Sequence, residues 1–178
     1  MLNYNEIKEI LNKINPSLVV YPIDFDKIVF EERVKLKCYH CKRHNVNWTC
    51  PPKIPDLNYK KLLQEYDNMA VIIKHWEIDE SSDIDAIRIN STNELHRSML
   101  KAEKCLWEKG EVMTLSFIGG SCKLCKTGCG KERCNNPDMA RIPFEALGVN
   151  VIKTMQNIGV DISFSIEKEI LRIGLLLW

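Results

Sequence analysis

Seven of the chain's eight cysteines fall into two short stretches, and this clustering constrains the fold more than any other feature. Cys38, Cys41 and Cys50 form the first group, Cys122, Cys125, Cys129 and Cys134 the second, and Cys105 stands alone. Thiols kept reduced and gathered in this way are metal ligands or redox groups more often than structural disulfides. With 45% of its 178 residues hydrophobic, the chain can build a core without disulfide staples. The length suits one compact domain, 1–178, with cysteine loops at about 37–53 and 121–137.

The compartment follows from the same chain. Its start, MLNYNEIKEILNK, has carboxylates where a signal peptide needs an apolar run. Apolar runs such as Met69 to Ile73 and Leu175 to Trp178 are far too short to cross a bilayer. A cytoplasmic protein with no membrane partner is therefore expected. The net charge of +1 gives no general case for a nucleic-acid partner, which usually needs a clear basic excess.

Periodicity organises the rest. Ile7, Ile10, Leu11 and Ile14 form one helical face, with Asn3 and Glu6 as a capping box and Asn15-Pro16 as a stop. Leu18–Tyr21 and Lys27–Leu36 read as extended, and Pro51-Pro52 places the first cysteine group in a loop. Asp56 is positioned to cap a short helix bearing Tyr59, Leu62, Leu63 and Tyr66, and residues 69–76 read as a buried strand. Ser91 and Glu94 suggest the start of a helix to Lys109, ended by Gly110; residues 112–118 form a strand that stops at Gly119-Gly120. Pro143 opens a helix carrying Phe144, Leu147, Val151 and Met155 inward, closed by Gly159. Val160, Ile162, Phe164 and Ile166 alternate as a strand, and Ile170–Trp178 forms another. The expected fold is α/β: a small mixed sheet with flanking helices and two cysteine-rich metal loops, one of them at a sheet end.

The second cysteine group reads C-x2-C-x3-C-x4-C, with Pro137 soon after. Four thiolates on such short gaps can wrap one inorganic cube, and Gly128 and Gly130 let the backbone bring N–H groups near sulfur. The spacing is similar to the bacterial ferredoxin run, with both later gaps one residue longer. Zinc is the competing occupant, although structural zinc usually draws its ligands as two separated pairs. The first group, C-x2-C-x8-C-P-P, supplies three thiolates. Either His44 or His40 completes a Cys3His zinc site, or three thiolates hold a 4Fe–4S cluster with one iron left open.

Cations crowd both groups. Lys35, Lys37, Lys42, Arg43 and Lys53 surround the first, and Lys123, Lys126, Lys131 and Arg133 the second. They lower thiol pKa values if they face the sulfurs and are solvated loop residues if they do not. Cys105 falls beside Ala102 and Leu106 and reads as a core cysteine. His75 reads as a core or edge strand residue and His96, next to Arg97, as solvent-facing. No Ser/His/Asp order and no phosphate-binding glycine loop is present.

Taken together, Lys37-Cys38, Trp48-Thr49-Cys50-Pro51-Pro52, the loop Cys122–Cys134 and Glu145-Ala146-Leu147-Gly148 resemble a family of small, cysteine-rich predicted metal-binding proteins, a domain of unknown function. The resemblance runs from about Val34 to Val151. One departure lies before the last helix, where the pattern Pro-Ser-Met-Glu gives way to Pro143-Phe144-Glu145, which removes a serine at the helix start. The resemblance implies metal binding without a reaction, and members common in anaerobic microbes.

The residues lead to an iron–sulfur protein with one or two 4Fe–4S clusters, serving electron transfer or redox chemistry at an open iron. Cys122, Cys125, Cys129 and Cys134 hold the relay cluster in this reading, and Cys38, Cys41 and Cys50 the reactive one. Its partner is a redox protein or a small anionic substrate. The alternatives are a zinc-stabilised protein-binding module and an accessory of metallocluster assembly.

Overall fold

Two long apolar strands set the frame, in a computed structural model describing residues 1–162 and 169–178. Strand β2 (Met69–Glu77) pairs antiparallel with β4 (Glu169–Leu177) along its whole length, from Met69 opposite Leu177 to Glu77 opposite Glu169. Strand β1 (Leu18–Pro22) lies on the other edge of β2, and β3 (Leu115–Phe117) pairs with Leu175–Leu177. The order β1-β2-β4-β3 is antiparallel at every pairing, not mixed as the sequence suggests. The reason is topological. A helical crossover does leave β2 and β3 pointing the same way, but β4 inserts between them and runs against both.

Alternation along these strands feeds two cores. Met69, Val71 and Ile73 meet Leu171, Ile173, Leu175 and Leu177 on one face, with Leu63, Phe117, Phe144, Leu147 and Met155 packed over them. Ala70, Ile72 and Leu176 face the opposite way, beneath Ile7 and Leu11 of α1 (Tyr4–Ile14) and Leu95, Met99, Ala102 and Leu106 of α4 (Ile84–Glu108). Gly174 lets α4 lie close to the sheet: a Cβ there would stand 3.5 Å from Met99 Cε and 2.7 Å from the Phe117 carbonyl oxygen. Burial of a Leu or Met side chain at such positions contributes about 1.5–3 kcal/mol each, so these faces dominate stability.

Helix α1 forms as its sequence dictates. Asn3 Oδ1 accepts from the Asn5 and Glu6 amides, Glu6 accepts from the Asn3 amide, and Asn15 terminates the helix. Other segments differ from expectation. Residues 27–36 are not one extended segment: a 3-10 turn (Phe25–Lys27) leads through a short extended stretch, with Ile28 and Glu31 extended and Phe30 bridged to Val149, into α2 (Glu32–Tyr39). Helix α4 starts at Ile84 under an Asp83 cap, and Ser91 lies buried in its interior. Asn58, not Asp56, caps α3 (Tyr59–Leu63). The helix expected from Pro143 is broken at Gly148, whose φ of +89° ends a 3-10 turn (Phe144–Leu147) before α5 (Val151–Asn157) begins. Val160 and Ile162 carry no strand, and Phe164 and Ile166 lie outside the described residues. Among the described residues no helix is long and apolar enough to cross a membrane.

Candidate metal centre

The first cysteine group begins on a helix rather than in a loop. Cys38 stands on the last turn of α2, which buries none of its own residues and is held by its entry instead. The Glu31 amide donates to the Gly148 carbonyl at 2.9 Å, while Asn150 Nδ2 and Lys153 Nζ donate to the Glu31 carboxylate at 2.9 and 2.7 Å. Gly148 also admits the stem of Lys35, whose Cε would lie 3.0 Å from any added Cβ. From the end of α2 the chain winds through successive turns: Cys41 N–H to Cys38 O, His44 N–H to Cys41 O, Cys50 N–H to Asn47 O. Asn45, at φ +55°, reverses the path and donates to the Pro51 carbonyl. The three cysteines are thereby brought to one cavity of about 120 Å³, shared with His44, Ser121 and Glu145. Cys50 is buried, Cys38 partly buried and Cys41 exposed.

The second group hangs from the sheet. Ile118 and Phe144 clamp the base of its loop, the Ile118 amide donating to Ile142 O and the Phe144 amide to Ile118 O. Gly119 runs so close to β4 that a Cβ would fall 2.6 Å from the Ile173 nitrogen. Gly130 is similarly enclosed, 2.3 Å from the Arg133 oxygen, and Gly128 has φ +89°, so both glycines beside Cys129 are required by geometry. All four cysteines line a single cavity of about 540 Å³. Asn136 Nδ2, a side-chain amide and not one of the backbone N–H groups expected from Gly128 and Gly130, donates to Cys125 Sγ at 3.2 Å, a contact that tunes a thiolate centre.

The two groups meet. Asn47 Nδ2 donates to the Cys122 carbonyl at 3.0 Å and Trp48 Nε1 to the Gly130 carbonyl at 2.8 Å, so the turn before Cys50 is stitched across the second loop. Residues 43 and 46–49 then complete the wall of the larger cavity. In that wall the Thr49 hydroxyl is buried with no hydrogen-bond partner among the described residues.

Burial, not the surrounding lysines, sets the thiol chemistry. Desolvation pushes the Cys50 thiol up to about 12, reinforced by Cys41 and Cys38. The same cause raises Cys38, with Glu145 and Cys41 adding to it, and raises Cys122, with Cys129, Cys125 and Cys134 adding to it. The expected pKa lowering by cations does not occur at these three sulfurs. Lys35 instead pairs with Glu32 and Lys53 lies over the Trp48 ring. Thiols so shifted are protonated at neutral pH, so metal uptake there releases protons and strengthens as pH rises.

Beside the cysteines lie three charged residues, of which only Lys123 was among the cations expected there. Glu145 is only slightly open to solvent; desolvation raises its carboxyl pKa, against the pull of its own and the Gly120 amide and of Lys123 and Arg172. Lys123 is lowered to about 8, first by desolvation and then by Arg172 and Arg43, and its Nζ donates to Ser121 O and Thr92 Oγ1. Arg172 donates through Nε to the same Thr92 hydroxyl. The Glu-Ala-x-Gly motif was the available signal for Glu145, and Trp-x-Cys-Pro-Pro that for Trp48.

Cys105 lies on α4 away from both cavities and is partly exposed, not core. His96 is fully buried rather than solvent-facing; its Nε2 sits 2.8 Å from the Met139 carbonyl and its Nδ1 is orphaned. His75 is an exposed strand residue paired with Glu169. His40 caps α2 and does not line the three-cysteine cavity, whereas His44 does.

All eight cysteines are free thiols. Among the described residues no three Cys, His, Asp or Glu side chains converge closely enough to hold a single metal ion; the cysteines stand around cavity walls instead. No curated protein and no solved structure matches the chain. Residues 21–178, which include both cysteine groups, the Trp48 stitch and Glu145, match one family model, and the chain belongs to that family, described as Predicted metal-binding protein (DUF2284).

Proposed function

We propose that the chain is an iron–sulfur protein whose Cys122, Cys125, Cys129 and Cys134 hold a 4Fe–4S cluster. The observation that carries this reading is the disposition of four soft donors around one cavity of about 540 Å³. Zinc holds its thiolates about 2.3 Å from a single point. Donors spread along walls suit an object with a separate metal at each corner. The donor set fits in kind as well: Asn136 supplies an N–H to Cys125.

Cys38, Cys41 and Cys50 hold a second cluster with one iron lacking a cysteine ligand. Held so, a cluster supplies one-electron transfer and its free iron a Lewis-acidic coordination position. Around that position the chain supplies Glu145, which also lines a neighbouring cavity of about 520 Å³ together with Lys37 and Arg33. Glu145 is thus placed to hold a proton beside a substrate entering from that side. Electron relay would run through the second loop, which Trp48 and Asn47 fasten to the first.

A Cys3His zinc site remains the second reading for the first group, because His44 lines its cavity. Anaerobic purification followed by iron, acid-labile sulfide and zinc analysis separates the two. A brown protein whose iron survives His44→Ala supports the open cluster. A colourless protein that binds zinc and loses it in His44→Ala sinks it.

A further inference from the structure

The larger cavity has a one-sided charge. Arg43, Arg97, Lys123 and Lys126 line it, and no aspartate or glutamate does, although the chain as a whole carries only +1. Lys123 is turned inward onto Ser121 and Thr92. Arg43, Arg97 and Lys126 are exposed, and none is in an ion pair among the described residues. Two apolar side chains stand among them, Val46 at 52% and Ile89 at 46% exposure.

We propose that this rim, Arg43, Val46, Ile89, Arg97 and Lys126, is the docking face for an acidic electron-carrier protein that exchanges electrons with the four-cysteine centre. The inference rests on the cluster reading above. Unpaired cations around an apolar patch attract an acidic surface and orient it, while the small patch keeps the complex short-lived, as a carrier must be. A nucleic acid would also answer to the cations, but a turnover partner for a redox centre needs a redox group of its own. The exchange makes and breaks no bond: the reduced carrier loses one electron and the cysteine-bound centre gains it.

The full chain, isolated anaerobically, is titrated by calorimetry with an acidic plant-type ferredoxin, and separately with a basic cytochrome c and a single-stranded RNA oligomer. Iron and sulfide are assayed on the same samples. Ferredoxin should bind, with affinity falling on the order of tenfold in the Arg97→Glu/Lys126→Glu double variant and again at high salt. Lys101→Glu, exposed on the same helix but outside the rim, should bind as the parent does. Stopped-flow reduction by the reduced ferredoxin should slow by the same factor in the double variant. Ferredoxin binding that is absent, or unchanged by the double reversal, overturns the docking face, as does tighter binding of the RNA. Iron-free protein that still binds ferredoxin through these residues would remove the cluster reading while supporting the face.

Discussion

The two cysteine groups use one residue type on opposite kinds of backbone. The first is wound tightly: a helix end and a chain of turns close three sulfurs on about 120 Å³, with Cys50 buried and its thiol pushed up to about 12. The second is an open loop slung between β3 and the Phe144 turn, with its four sulfurs partly exposed around about 540 Å³. Their charged neighbours differ too. Glu145 lines the smaller site beside Arg43, while the larger one is lined by cations and no carboxylate. Equal donor chemistry therefore does not mean equal roles. A small site with a buried sulfur and a carboxylate suits small guests; a larger one ringed by cations suits charge exchange with something large.

The largest test of this division is removal of one sulfur at a time. Cys125→Ser or Cys129→Ser should abolish the iron of the larger cavity, because a hard alkoxide replaces a soft thiolate, and should leave the smaller site loaded. Cys50→Ser should do the converse. Total iron lost in either variant would mean that the groups share one centre, and unchanged iron in all three would dismiss both assignments.

Acid should next separate the two loops. His96 is buried behind the second loop and holds the Met139 carbonyl; desolvation lowers its pKa from 6.5 to about 4, aided by Arg141 and Arg97, while the Met139 bond and Glu103 oppose. The unfolded chain therefore takes up this proton first. Stability attached to His96 is complete above about pH 6.5 and is lost as pH falls toward 4, by roughly 3 kcal/mol at most. Denaturation across that range should show the slope, His96→Gln should flatten it, and hydrogen exchange should rise near Met139 before it rises near Cys50. An unaltered slope in the variant would acquit His96.

A smaller effect is expected where the groups touch. Trp48→Phe removes the donor to Gly130 and should cost about 1 kcal/mol, with both metal centres losing spectral sharpness together. A change confined to one centre would show that the stitch couples nothing. The smallest effect belongs to Cys105→Ala: about 1 kcal/mol or less, since the side chain is partly exposed, and no change in metal content. Iron lost in that variant would make Cys105 a ligand.

What could be read from the chain alone follows the strength of its periodic signals. Helix α1 and strands β2 and β4 were legible because their apolar faces are strict and the Asn3 cap is local chemistry. Helix α2 was not, because it buries no residue and so leaves no periodic face to find. Helix α4 misled through its polarity: Ser91, Thr92, His96 and Ser98 are buried, so hydrophilic residues sat where a solvent face was expected. Gly148 lay inside an apparent helical stripe, yet its positive φ splits that stripe in two. At the site, the grouping of cysteines was visible in their spacing. Their mutual approach was not, because it depends on the single side-chain bonds of Asn47 and Trp48.

The position of β4 has a consequence for the order of events during synthesis. It is the last strand in sequence and lies between β2 and β3, so the sheet that anchors the second cysteine loop cannot close until residues near Leu177 have left the ribosome. All seven clustered cysteines emerge earlier, before the sheet behind them is complete. Stable loading of either centre thus waits on β4. A truncation before residue 169 should emerge thiol-rich and unable to retain metal, which ribosome-stalled chains of graded length would reveal.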